Sequence, residues 1–284
     1  MPCFTAPAAE KERNVVHMQC FPRNESGYFP GGPAGIIVES FMRAHKIPHV
    51  VHFGVDPEVS PTGRLPCIEL NGETTAESHF IIERLAREFN LPEEKLSRAQ
   101  RAKGIALRRI FEQSANFHHI RAFIVDNVET GARLFGPFLP VPKFMHGFAM
   151  GQARKNQIAN LNTQGEGDLT DVQYHAEFLS DIEAAEAMLE ESDFAVSSEF
   201  THVDSTVFGY LSIIRSIARQ LPADRLALVP AYQLVLRSAV INAYVDRVEA
   251  VTYPDAAKIL AMTKADPKGK EPQSFPKQAF TKAN

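Results

Sequence analysis

The segment 63–83, GRLPCIELNGETTAESHFIIE, limits the fold more than any other stretch of the sequence. Asn71-Gly72 separates two short runs of β formers, and both turn positions of a two-residue hairpin want the positive φ these residues tolerate. Residues 67–70 and 73–75 therefore read as adjacent antiparallel strands. Pro66 has no N–H to donate and stands just before the first of them, which suits the margin of a sheet. From Glu77 the spacing of Ile81, Ile82, Leu85 and Phe89 predicts a helix with one apolar face. The segment is a ββα unit.

A βαβ unit precedes it. Residues 15–21 (VVHMQCF) read as a first strand, followed by a loop dense in Gly and Pro over 22–35. Ile37, Phe41 and Ala44 share a face of the helix that follows, Pro48 closes it, and residues 49–53 (HVVHF) form the next strand. Strand, helix and strand in that order require a crossover, which favours a parallel pair. After a polar linker over 90–97 no strand is expected. Leu107, Ile110 and Phe111 mark a long helix, and residues 131–142 (GARLFGPFLPVP) read as an irregular connection. Thr170-x-x-Gln173 and Thr201-x-x-Asp204 open two further helices, the first a capping-box pattern. More helix is expected near 231–245 and 254–262. The expected organisation is a flexible leader over 1–14, an α/β domain over 15–90, an all-helical domain over 98–262 and a Lys/Pro-rich disordered tail over 263–284.

The composition supports two cores: 44% of the 284 residues are hydrophobic and 23% charged. A net charge of −4 provides no basic field to draw the chain to nucleic acid or anionic lipid. Cys3, Cys20 and Cys67 form no CxxC pair, zinc cluster or disulfide framework, which favours a reducing compartment such as the cytoplasm. No apolar run reaches the roughly 20 residues of a transmembrane helix.

The chemistry concentrates around the ββα unit. A cis Leu65-Pro66 bond would turn the chain and expose the N–H and C=O of Leu65 side by side, a pair able to bind an extended peptide as an added strand does. Glu77-Ser78 opens a helix. The backbone N–H groups and the Ser78 hydroxyl there suit a small carboxylate, and Glu77 can accept from an ammonium group. His49 and His52 lie on opposite faces of a strand, which argues against a shared metal, and no metal site is expected. Cys20 and Cys67 read as small buried hydrophobes.

The Leu-Pro…Glu-Ser pattern resembles the glutathione-binding half of glutathione transferases, in which a cis-Pro and a Glu/Asp-Ser pair hold glutathione. The segments QGEGDLTDVQYHAEFLSDIEAAEAML and FTHVDSTVFGYL resemble the helical domain of the failed-axon-connections and metaxin branch. The resemblance spans roughly residues 15–250. It implies a thioredoxin-like domain followed by a glutathione-transferase-like helical bundle, with glutathione as co-substrate against a hydrophobic electrophile. Leu65, Pro66, Glu77 and Ser78 would bind the tripeptide. Where the branch carries Ser-Pro-x-Cys at the first helix, this sequence has Gly32-Pro33-Ala34-Gly35. Thiolate stabilisation would then fall to the exposed backbone of Gly32 to Gly35, aided by Tyr28 first and Ser26 second. Phe111, His118 and Arg121 would line the second-substrate cleft. Asp204 is expected to be a helix cap, worth about 1 kcal/mol. Dimerisation is common in the architecture, so a homodimer is the assembly implied. The alternatives are a non-catalytic adaptor or ligand binder, and a metaxin-like component held peripherally on the mitochondrial outer membrane.

Overall fold

The structure, a computed structural model, describes residues 13–23, 32–54, 56–92, 94–136, 141–266 and 269–275. It divides into two compact units, Met1–Glu93 with Val251–Asn284, and Glu94–Ala250.

In the first unit β1 (Val16–Cys20) leads to α1 (Pro33–Ala44) and β2 (His49–Phe53), and then the hairpin β3 (Cys67–Leu70) and β4 (Glu73–Ala76) leads to α2 (Ser78–Glu88). β1 pairs parallel with β2, Val16 opposite His49 and Cys20 opposite Phe53, as the crossover requires. β3 pairs antiparallel with β1 and with β4. Asn71 and Gly72 have φ of 53° and 86°, the left-handed pair expected of the turn. Val16, Met18, Val51, Ile68 and Leu70 are fully buried with Ile37 and Phe41 of α1 and Ile81 and Leu85 of α2. The apolar face read from each helix is the one that covers the sheet.

The far edge of the sheet departs from expectation. Within the segment whose composition reads as a disordered tail, Gln273–Phe275 forms β5 and pairs antiparallel with β2, giving the order β4-β3-β1-β2-β5 among the described residues. Side chains explain the docking. The Phe275 ring stacks on His49 at 4.8 Å and lies 4.5 Å from the Arg43 guanidinium. Gln273 accepts a 2.9 Å hydrogen bond from Nε of the buried Arg23. Arg23 in turn forks onto Glu39 of α1 at 2.9 and 2.6 Å, and the Tyr253 hydroxyl donates to the same carboxylate at 3.2 Å. Composition alone could not reveal these three anchoring side chains. Cys20 is a free, buried thiol.

The second unit is helical. α3 (Arg98–Ile110) opens on a Ser97–Gln100 capping box and continues through a π-helical turn (Phe111–Ala115), α4 (Asn116–Ile120) and a second π-helical turn (Arg121–Val125). Then come α5 (Val128–Phe135), α6 (His146–Gln164), α7 (Asp171–Leu189), α8 (His202–Ala218), α9 (Ala223–Leu226), α10 (Pro230–Arg237) and α11 (Ala239–Thr252). α12 (Ala256–Ala265) falls with the first unit, so the division comes at residue 250 and not at 262. α5 occupies part of the stretch that reads as an irregular connection. Gly131 weakens it as a helix former, yet leaves room for Met150 of α6, whose Cε would stand 3.3 Å from a Cβ placed there. α8 is buried on nearly every side. Asp204 in its first turn does more than cap. Its carboxylate accepts from Thr201 N–H at 2.8 Å, Thr201 Oγ1 at 2.9 Å, Ala195 N–H at 2.7 Å and the Tyr244 hydroxyl at 3.0 Å.

Candidate functional site

Three features converge on one end of the sheet. β1 and β3 are antiparallel and Gln19 pairs with Cys67, so the C-terminal end of β1 meets the start of β3. Cys67 also pairs with Ala76, which brings Leu65-Pro66 and Glu77-Ser78 to that same end. α1 returns the chain from β1 to the parallel β2, so its N-terminus, Gly32 to Gly35, lies there too. Ligands of open α/β sheets commonly bind where strands end and helices begin.

The Leu65-Pro66 bond is cis, the geometry the sequence reading required. Pro66 is buried and Leu65 half-buried, its side chain packed with Val59 on Cys67 and Ala76. Among the described residues no hydrogen bond takes up the Leu65 N–H or C=O.

Glu77 is the N-cap of α2, at φ 67° and ψ 117°, with no hydrogen bond from its side chain to the helix. A residue other than glycine held at positive φ costs about 1–3 kcal/mol, and such positions gather at functional sites. Glu77 and Ser78 are both half-buried, neither sealed in the core nor fully in solvent. The helix's own ladder begins with Ile81 N–H to Glu77 C=O at 3.0 Å, so the first-turn N–H groups point outward at the positive end of the dipole.

One contributor escaped sequence reasoning. Arg84 sits in the apolar stripe of α2 and is buried. Its Nη1 donates to Thr75 Oγ1 at 2.6 Å and to the Glu73 carbonyl at 3.1 Å, and its Nη2 donates to the Leu70 carbonyl at 3.0 Å. The guanidinium thus ties both strands of the hairpin to α2 and fixes the turn that carries Glu77 and Ser78. The only signal in the sequence was a charged residue flanked by Ile82 and Leu85.

Gly32 caps α1 in extended backbone without any side-chain bond, and Pro33 takes the first helical position, where its missing N–H costs nothing. No acidic residue lies in that first turn. A Cβ at Gly32 would meet nothing nearer than Phe21 Cδ2 at 3.9 Å. Gly35 is buried. Tyr28 and Ser26 lie outside the described residues. Cys20, at the end of β1, is no thiolate: burial pushes its thiol far up.

The remaining named residues belong to the helical unit and are already engaged. Phe111 is fully buried and stacks on Tyr210 at 5.7 Å. His118 is 2% exposed, with Nε2 2.9 Å from Glu166 and Nδ1 3.3 Å from Asp181. Arg121 donates to the Leu169 carbonyl at 2.9 Å and to Asp171 at 2.7 Å, and lies 4.1 Å from the Tyr174 ring. Among the described residues no group of three His, Cys, Asp or Glu could hold a metal, and no helix is long and apolar enough to cross a membrane.

Comparison with known proteins agrees with this fold. Residues 33–128 match the family of glutathione S-transferase N-terminal domains. The apo form of human glutathione S-transferase T1-1 superposes with a TM-score of 0.52 at 15% identity, covering 90% of this chain and 95% of that one. Bombyx mori glutathione transferase BmGSTD1, in complex with GTT, superposes with a TM-score of 0.50 at 12% identity, covering 88% of this chain and 97% of that one. A comparison with curated proteins finds no match. At these identities the likeness establishes the fold, a thioredoxin-like sheet with its helices followed by a helical region. Residues 33–128 thus match the glutathione S-transferase N-terminal domain family, and the chain has the fold of the glutathione transferases it superposes on.

Proposed function

We propose that the first unit binds glutathione and that the protein is a glutathione transferase acting on a hydrophobic electrophile. The observation that carries the reading is the pairing of an unoccupied Leu65 backbone edge with the uncapped, positive-φ start of α2 at Glu77-Ser78. The tripeptide lies extended along Leu65. Its γ-glutamyl carboxylate takes the Ser78 hydroxyl and the first-turn N–H groups, and its ammonium takes the Glu77 carboxylate. The sulfur then falls toward the start of α1. The helix dipole and the backbone of Gly32 to Gly35 favour the thiolate, with Tyr28 or Ser26 as the hydroxyl donor. The thiolate forms the new C–S bond to the electrophilic carbon, the leaving group departs with its electron pair, and the thiol proton passes to solvent.

Gly32 and Gly35 support a second reading, in which glutathione is bound without being activated. With no hydroxyl or thiol on either residue, α1 itself offers only backbone to a sulfur. The failed-axon-connections and metaxin resemblance, carried by the VDSTVFGYL helix start, remains a proposal about lineage. A metaxin-like place on the mitochondrial outer membrane is tested by fractionation with a carbonate wash. Recovery only from soluble cytoplasmic fractions contradicts it.

Retention on immobilised glutathione and turnover of an activated aryl chloride separate the two main readings. Retention with turnover supports the transferase, retention alone supports the binder, and failure of both removes the glutathione site. Loss of turnover with retained binding in Tyr28→Phe or Ser26→Ala assigns the hydroxyl. Full turnover in both leaves the Gly32 to Gly35 backbone to hold the sulfur.

A further inference from the structure

Between Glu129 and Glu166 the sequence contains no Asp or Glu. In a chain of net charge −4, this stretch carries Arg133, Lys143, Arg154 and Lys155 together with four phenylalanines. Two of these stand in solvent: Phe144 is 87% exposed and Phe148 75%, with Met145 at 36% beside them. Phe144 lies in the turn just before α6 and Phe148 in its first turn, so the four-residue spacing places the two side chains on one face. Lys155, seven residues beyond Phe148, continues that face. It is exposed and has no carboxylate partner among the described residues. The surface around the rings is open, because a Cβ at Gly147 or Gly151 would meet nothing within 4 Å.

A single exposed apolar side chain needs no explanation, but paired exposed phenylalanines on a glycine-flanked face do. An anionic bilayer fits both halves of the observation. Aromatic rings settle at the boundary between headgroups and acyl chains, cations are drawn to the negative surface, and carboxylates, absent here, would be repelled. We propose that the Phe144–Phe148 face of α6 docks peripherally on an anionic membrane surface, with both rings inserted and Lys155 against the headgroups. The surface belongs to the helical unit and does not depend on the glutathione reading.

Co-sedimentation of the full chain with phosphatidylcholine vesicles, with and without phosphatidylserine, tests this. The wild type should pellet with the phosphatidylserine vesicles, more weakly at high salt, and stay in solution with phosphatidylcholine alone. Phe144→Ser with Phe148→Ser should weaken binding about tenfold or more, with an unchanged circular dichroism spectrum. Lys155→Glu should weaken it about fivefold and reduce the salt dependence. A wild type that stays in the supernatant with phosphatidylserine vesicles overturns the proposal, as does a double variant that pellets like the wild type. Vesicle-independent dimerisation that the double variant loses, in a wild type that ignores vesicles, would make a second copy the occupant and equally overturn it.

Discussion

Replacing Glu39 by alanine should unfold the first unit at markedly lower temperature. Glu39 is fully buried in the middle of α1 and accepts both hydrogen bonds of the Arg23 fork, itself 2% exposed. Burial alone would push the Glu39 carboxyl up, but the Arg23 guanidinium more than offsets this and holds it below the usual carboxylate range. Removing the carboxylate leaves a guanidinium in the interior without its countercharge, a loss of about 3–5 kcal/mol. It also deprives the Tyr253 hydroxyl of its acceptor at 3.2 Å. For a unit of this size the melting temperature should fall by roughly 10–20 °C. Differential scanning calorimetry with near-ultraviolet circular dichroism reads the effect. Only the transition of the first unit should move, since neither side chain belongs to the helical unit. The apolar double variant, Arg23→Met with Glu39→Leu, should recover most of the loss, because it removes both charges together. A Glu39→Ala variant within about 1 kcal/mol of wild type, or additive single-variant effects in the double, would refute the reasoning.

Three other variants or conditions test separate parts of the account. Asp204→Ala should cost about 4 kcal/mol in urea unfolding, well above an ordinary cap, because four donors lose one buried acceptor; a loss near 1 kcal/mol would mean that those donors find new partners. Burial lowers His49 and His119 from 6.5 to about 4, so the unfolded chain binds more protons than the folded one between those values. Stability should therefore fall as pH drops from about 6.5 toward 4, by at most about 3 kcal/mol for each histidine, and His119→Gln should flatten the profile of the helical unit. Gly32→Ser should fold normally, its Cβ having 3.9 Å of clearance, and should raise aryl chloride turnover if only the missing hydroxyl limits the thiolate; unchanged turnover would place the sulfur away from α1.

The parts legible in the sequence were those governed by local rules. Asn71-Gly72 set the hairpin, the strand residues of β2 and β3 match those read from the sequence, and the Thr170 and Thr201 helix starts follow short-range capping chemistry. The cis Leu65-Pro66 bond and the helix start at Glu77-Ser78 were legible because Pro, Asn-Gly and helix starts announce the course of the backbone. Long-range contacts were not legible. β5 depends on Arg23, Glu39 and Arg43 waiting some 230 residues upstream, which no window of sequence shows. α6 escaped because its apolar residues follow no single face and glycine interrupts it twice. His118 and Arg121 are expected from the resemblance to line a substrate cleft, and no window of sequence shows that Glu166, Asp181 and Asp171 meet them from distant segments.

The most direct test of the glutathione site is equilibrium dialysis of the full chain against radiolabelled glutathione, wild type beside Glu77→Ala and Ser78→Ala. The account predicts saturable binding at one site per chain. Each substitution should weaken it about tenfold or more through the lost charge-assisted hydrogen bonds, and the melting temperature should hold. Wild-type chain that takes up no glutathione, or variants that bind it as tightly as wild type, would contradict the account.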